Sequence, residues 1–220
     1  MTATELEAKL KDLEKRAQRS KDILEIMNLQ SRYSYYMELN YTDKIVDELF
    51  AQKYPEVKCD LCDTGTYIGL PQVRRLFNAL HDQQSIRGFL GVIMVETPSV
   101  VIGKDGKTAK GMFHAFGPNS AAATDYPCEG PQQNALTAIW FLGKYANEYV
   151  KEGGSWKFSS LKLVSYFQAS YKEGWVKKAD IRRLAPAPNI CKPDIPMKVF
   201  KPYHPHGLNI FQPPPPEDVE

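Results

Sequence analysis

Four residues of this chain combine a usable chemistry with a setting that could use it: Tyr33, Glu38, His114 and Lys162. Tyr33 and Glu38 are five positions apart in a stretch of helical periodicity. Five residues turn a helix by about 140° beyond one full turn, so these side chains do not share a stripe. A phenol hydrogen-bonds an oxygen that is gaining charge, and a carboxylate takes a proton or orients the group that does. His114 lies in the strand-like run Gly111-Met-Phe-His-Ala-Phe116, and an imidazole titrating near neutrality suits proton transfer. Lys162 interrupts an apolar strand. A desolvated lysine there either loses its proton and acts as base or keeps it and binds an oxyanion. Each also has a plainer reading: a solvated helix-end acid, a core aromatic, a hydrogen-bonded strand histidine and an outward-facing sheet lysine. Tyr35 and Tyr36 are further pocket candidates, although one of the three tyrosines must point away. Glu96, Asn134 and Trp140 complete the candidate substrate contacts.

Other chemistries find little support. Cys59 and Cys62 have C-x-x-C spacing, but a structural zinc needs two more ligands and the sequence offers only isolated candidates. They read as free thiols near a strand end, and no metal site is expected. His204 and His206 lack the partners that a metal would require. There is no glycine-rich phosphate loop, no G-x-S-x-G and no dinucleotide fingerprint.

The candidates need elements to hold them. Ile26, Leu29, Tyr33, Tyr36 and Met37 recur at helical spacing, so residues 22–38 form an amphipathic helix whose apolar face covers a core or a pocket. Asn40 to Asp43 supply the chemistry to close that helix and open a second, which runs to Phe50. Residues 4–20 read as a helical arm with Leu6, Leu10 and Leu13 on one side, and Ser20 is placed to cap the helix after it. Pro71 opens a third helix, with Val73, Leu76, Phe77 and Leu80 buried. Residues 54–62 and 66–68 read as short strands. Four β-rich stretches follow at 89–102, 108–117, 136–150 and 155–167, with turns at Asp105-Gly106 and Gly153-Gly154. The long loop 118–133 between them is of the kind that carries function. From Leu184 the prolines are too dense for a packed domain, yet Phe200, Tyr203, Ile210 and Phe211 are too apolar for a free tail. The expected organisation is an arm at 1–21, an α+β domain at 22–178 and an extended proline-rich strap at 179–220.

Composition is that of an ordinary globular chain: 220 residues, 43% hydrophobic, 25% charged, net charge +2 with the signs interleaved. That gives no electrostatic footprint for nucleic acid and no polybasic membrane patch. The charged N-terminus is no signal peptide and no apolar run reaches membrane-spanning length, so the expected compartment is the cytoplasm.

Several segments, in order, resemble the SnoaL-like branch of the nuclear transport factor 2-like superfamily. They are Arg32-Tyr-Ser-Tyr35 with Glu38 and Leu49-Phe50, Thr66-Tyr-Ile-Gly-Leu-Pro71, Asp105-Gly-Lys-Thr-Ala-Lys-Gly111, Trp140-Phe-Leu-Gly-Lys-Tyr145, the 152–156 turn and Tyr171-Lys-Glu-Gly-Trp175. The resemblance implies an α+β fold in which a strongly curved, cone-shaped sheet of antiparallel or mixed strands wraps a helical hairpin and a third helix. It implies a pocket inside the cone, lined by tyrosines, a carboxylate and histidines, working without metal or organic cofactor. This chain departs from the pattern at Ile93-Met-Val-Glu96 and Ser159-Ser-Leu-Lys162, where related sequences often carry histidine. The implied activity is a cofactor-independent lyase on a small hydroxylated aromatic or polycyclic substrate, by loss of water or of formaldehyde. An isomerase or cyclase of the same fold and a non-catalytic binding or assembly module are the alternatives. A homo-oligomer, dimer or trimer, is the expected partner arrangement, because relatives cover the outer face of the sheet with a second subunit.

Overall fold

A computed structural model describes residues 2–61, 64–85, 89–122, 136–177, 191–197 and 203–217, the side chains of 121–122 and 136–137 excepted. It begins with one unbroken helix, α1 (Ala3–Glu38). Thr2 and Glu5 close its start as a capping box: the Glu5 amide donates to Thr2 Oγ1 at 3.3 Å and the Thr2 amide donates to Glu5 Oε2 at 2.7 Å. The expected break at Ser20 does not occur. Nothing between 17 and 24 is Gly or Pro, and a serine inside a helix costs only a few tenths of a kcal/mol relative to its neighbours, about the size of one favourable i,i+4 pair. The arm is therefore the first half of α1, with Leu6, Leu10 and Leu13 all more than half exposed. Burial begins at Asp22 and follows the expected stripe through Ile26, Leu29 and Tyr33.

The helix stops at Asn40, whose φ of 56° is the left-handed conformation that ends helices and that Asn tolerates. The second helix is shorter than its periodicity suggests: α2 (Thr42–Lys44) passes into a π-helical turn at Ile45–Leu49. Helix α3 (Leu70–Gln84) opens on Pro71, as expected.

Among the described residues there are seven strands, in chain order β1 (Lys58–Leu61), β2 (Gly65–Ile68), β3 (Met94–Ile102), β4 (Thr108–Ala122), β5 (Leu136–Glu152), β6 (Ser155–Ser170) and β7 (Ile195–Pro196). They form one mixed sheet in the order β3-β4-β5-β6-β1-β2-β7, not closed into a barrel. All neighbours are antiparallel except β1 and β6. Between β6 and the strap lies a short helix, α4 (Gly174–Lys177). Bulges at Leu142/Gly143 and Glu148/Tyr149 interrupt the β5–β6 register and bend the long strands around the helices. The inner face carries the core: Phe113 and Ala115 of β4, Phe141, Tyr145 and Tyr149 of β5, and Phe158, Leu161 and Leu163 of β6, packed on α1, α3 and the π-helical turn. The expected α+β architecture is thus the observed one.

Candidate functional site

The helices do not fill the wide end of the curved sheet. A cavity of about 170 Å³ remains, bounded by Tyr33, Ser34 and Met37 of α1, Leu80, Gln83 and Gln84 of α3, and Phe89, Gly91 and Ile93 before β3. The sheet contributes Leu61, Asn119, Ser120, Ile139, Phe141, Tyr145, Leu163 and Gln168. The walls are mostly apolar, and the polar groups among them are phenols, hydroxyls and amides. None of these lining residues is His, Asp, Glu, Lys or Arg.

Tyr33 is 3% exposed and Tyr145 is 1% exposed, and their rings meet edge-on. Tyr33 also packs edge-on against Phe77 and Phe158, which fixes the direction of its phenol. The rim is held by a strip of irregular backbone. Leu90 N–H donates to Ser120 Oγ at 2.6 Å, Ser120 N–H donates to Leu90 O at 2.7 Å, and Gly91 bridges Asn119. Ser34 Oγ–H donates to Ile93 O at 3.1 Å, tying α1 to the same strip. Gly91 is needed here: a Cβ would meet the Phe89 ring at 2.8 Å and drive it from its place in the cavity wall.

The structure brings one of the four proposed catalytic residues to this cavity. Tyr33 is there. Glu38 is an exposed residue at the end of α1 and does not reach the lining. His114 is exposed on the outer face of β4, where its Nδ1 shares a short hydrogen bond with Thr97 Oγ1. Lys162 is exposed on the outer face of β6, 3.7 Å from Asp60. The constellation Tyr33–Glu38–His114–Lys162 is therefore not assembled. Of the proposed contacts, Tyr35 is 63% exposed, and Tyr36 donates to Glu48 Oε2 at 2.8 Å on the flank of the hairpin. Glu96 is exposed and is the Cα partner of His114. Trp140 stacks on Phe116 on the outer face. Asn134 lies outside the described residues. The physical reason is one of parity. Side chains on a strand alternate between faces, and His114, Trp140 and Lys162 all fall on the outward set.

The residues that do line the cavity were legible by the same rule. Phe141 and Tyr145 are four apart on β5 and share the face of the buried Tyr149. Gln83, Gln84, Ser120 and Gln168 carry no signal that separates them from ordinary polar residues. Cys59 is fully buried, and burial first, then the Asp60 charge, pushes its thiol well above the ordinary range, which suits an inert core residue. Among the described residues no group of three His, Cys, Asp or Glu is placed to hold a metal ion, and no helix is long and apolar enough to cross a membrane.

The family of SnoaL-like domains matches residues 18–162, from the middle of α1 to β6. The chain belongs to that family. No curated protein matches this SnoaL-like chain. Solved structures of the same fold include a candidate scytalone dehydratase from Novosphingobium aromaticivorans, 16% identical, covering 78% of this chain and 99% of that one with a TM-score of 0.54. The hexachlorocyclohexane dehydrochlorinase LinA-type3 from Novosphingobium barchaimii is 16% identical over 72% of this chain and 93% of that one, at a TM-score of 0.52. The Kfla4162 protein from Kribbella flavida is 18% identical over 68% and 94%, also at 0.52. At these identities the likeness is one of fold. Two of these three neighbours are named for an activity, one a dehydratase and the other a dehydrochlorinase.

Proposed function

We propose that this SnoaL-like protein is a lyase that eliminates water or formaldehyde from a small, neutral, hydroxylated ring compound without a cofactor. The observation that carries this reading is the cavity: mostly apolar walls, two phenols in edge-on contact, and no charged side chain among the described lining. A mostly apolar site with no charge among its described lining favours a neutral ligand, because burying an unpaired charge is far costlier than burying a hydroxyl that finds a partner. The volume narrows the substrate: a dry apolar cavity of about 150 Å³ accepts benzene, so about 170 Å³ suits a single ring rather than a polycycle. The activities for which two fold neighbours are named, dehydration and dehydrochlorination, are both eliminations and support the same class.

The chemistry fits the groups present. Tyr33 or Tyr145 donates to the substrate oxygen that gains charge or departs. In water loss, the C–O bond breaks and the departing hydroxide, held by a phenol, collects the proton from the adjacent carbon as the double bond forms. In formaldehyde loss, the C–C bond breaks, its electron pair passes into the ring or carbonyl system, and the carbinol O–H proton passes to the carbonyl oxygen or ring carbon that receives that pair as formaldehyde leaves. Each needs a substrate whose C–H or O–H is already acidified.

A second reading, non-catalytic binding of the same ligand class, is favoured by the lack of a carboxylate or imidazole in the described lining. One experiment separates the two. The full chain is incubated with single-ring β-hydroxy ketones and hydroxymethyl-substituted phenols, following conjugated product and free formaldehyde. Turnover that falls about 100-fold in Tyr33→Phe or Tyr145→Phe supports the lyase. Ligands that bind and are recovered unchanged move the assignment to the binding module, and turnover untouched by both substitutions removes the phenols from the mechanism.

A further inference from the structure

The cavity has a second polar station besides its phenols, and a bulge puts it there. Leu161 and Leu163 of β6 lie on the inner face, in the core. Strict alternation would carry Ser165 and Phe167 inward after them and leave Gln168 outside. The register with β5 shifts instead: Ser165 is the Cα partner of Gly143 and Phe167 that of Leu142, so Tyr166 is an extra residue on β6. Tyr166 and Phe167 both line the groove on the outer face, beside Trp140 and Leu142. The count restarts after them, and Gln168 lines the cavity.

Gln168 is 1% exposed. It is the one buried amide of the described lining, since Gln83, Gln84 and Asn119 are half-buried. Ser34 and Ser120 bond the backbone of the strip before β3 and so hold the rim. An amide in a wall that also includes Leu61, Ile139, Phe141 and Leu163 costs stability that a leucine there would not. A local conflict of this kind marks a position kept for function rather than for folding. An amide has two donor hydrogens and two acceptor lone pairs. It therefore serves its protein neighbours and still meets a ligand oxygen, whether hydroxyl or carbonyl.

The register adds direction. Gln168 is the Cα partner of Phe141. Phe141 and Tyr145 are four residues apart on β5, about 13 Å along the strand. The rings of Tyr33 and Tyr145 are in contact, so the two phenols belong to one end of the cavity and Gln168 to the other. Given a neutral ring in the cavity, as proposed above, we infer that Gln168 is a specificity-determining residue: it hydrogen-bonds a second oxygen of the ligand, at the end remote from Tyr33 and Tyr145. The preferred ligand is then a single ring with neutral oxygen substituents in para positions, rather than a ring with one.

The test is calorimetric titration of the full chain with 4-hydroxybenzyl alcohol and two analogues of similar shape that each lack one oxygen, 4-methylbenzyl alcohol and 4-ethylphenol. The parent protein is expected to bind the two-oxygen compound at least about fivefold more tightly than either analogue, the worth of one net hydrogen bond. Gln168→Met keeps an unbranched side chain and removes the amide, and it is expected to bring the compounds within about twofold of one another. A structural role for Gln168 would weaken all three alike and leave their ratios as in the parent, which overturns the inference. A smaller ratio in the parent also overturns it, without recourse to any variant, and leaves the neutral-ring reading in place. Binding of none of the three by the parent removes that reading itself, and the inference with it.

Discussion

The rings of Tyr33 and Tyr145 meet edge-on, centroids 5.7 Å apart and planes at 82°. One comes from the middle of α1 and the other from the inner face of β5, so this contact joins the helix to the sheet at the cavity wall. Ring and hydroxyl therefore have separable roles. Tyr33→Phe keeps the ring packing and should cost the smaller part of the stability, while Tyr33→Ala should cost roughly 3–5 kcal/mol as a large buried side chain lost. Thermal denaturation of the two variants checks the division, and similar losses for both would place the stability in the hydroxyl instead.

Asp22 is the charged anchor of α1. Its Oδ1 accepts from Lys151 Nζ at 2.5 Å, Trp156 Nε1 at 2.9 Å and Gln18 Nε2 at 3.0 Å, with the carboxylate side chain 4% exposed. Asp22→Asn leaves Lys151 with a weaker partner in a poorly solvated place, at a cost of roughly 2–3 kcal/mol. At this chain length that lowers the melting temperature by roughly 5–10 °C.

The same carboxylate sets a pH dependence. Burial by itself raises its pKa, but the hydrogen bonds from Lys151, Trp156 and Gln18, with the Lys151 charge, outweigh burial and hold it below the ordinary value of 3.8. A depressed folded pKa means that the unfolded chain binds the proton first as pH falls. The stabilisation is then full above the unfolded pKa near 4 and is lost as pH drops from there through the folded value. The gap in denaturation midpoint between parent and Asp22→Asn should be constant from about pH 5 to 7 and close below about pH 4. A gap that widened in acid would contradict the assignment.

Gly117 lies where β4 passes the strip before β3, and a Cβ there would come within 1.9 Å of Val92 O. The clash is with backbone, which cannot swing away as a side-chain tip can. Gly117→Ala should therefore cost roughly 2–3 kcal/mol or more and loosen the rim formed by Leu90, Gly91 and Ser120. Hydrogen exchange of the Ser120 amide, bonded to Leu90 O, is the local readout.

Cavity size can be changed from below. Leu163 is 8% exposed, lies on the cavity floor and carries no polar group. Leu163→Ala should cost roughly 2–4 kcal/mol and shift ligand preference towards rings carrying one or two extra methyl groups. Calorimetric titration with a homologous alkylphenol series checks it. An unchanged order of affinities would show that ligands do not reach this floor.

The sequence made the scaffold readable because its signals were local: the 22–38 stripe, Asn40 as a helix end, Pro71 as a helix start and the two glycine turns each act within a few residues. The site was harder, for two physical reasons. A strand side chain's face depends on parity, and a bulge resets parity; the outward His114, Trp140 and Lys162 attracted attention because they carry chemistry, while inward Phe141 and Tyr145 looked like core. Glu38 failed differently. It belongs to the last turn of α1, and the chain reverses just after it at Asn40, leaving the carboxylate on the solvent side. Gln83 and Gln84 become cavity residues because α3 runs on to Gln84, a boundary too soft for periodicity to fix.

The unbroken course of α1 has a mechanical meaning. A helix rises about 1.5 Å per residue, so Tyr33 and the far end near Ala3 sit on one rod with a lever arm of roughly 45 Å. A tilt of about 5° at the cavity would swing the tip by roughly 4 Å on that geometry. The leucine-striped end is thus a pointer: whatever grips Leu6, Leu10 and Leu13 holds a handle on the phenol at the other end.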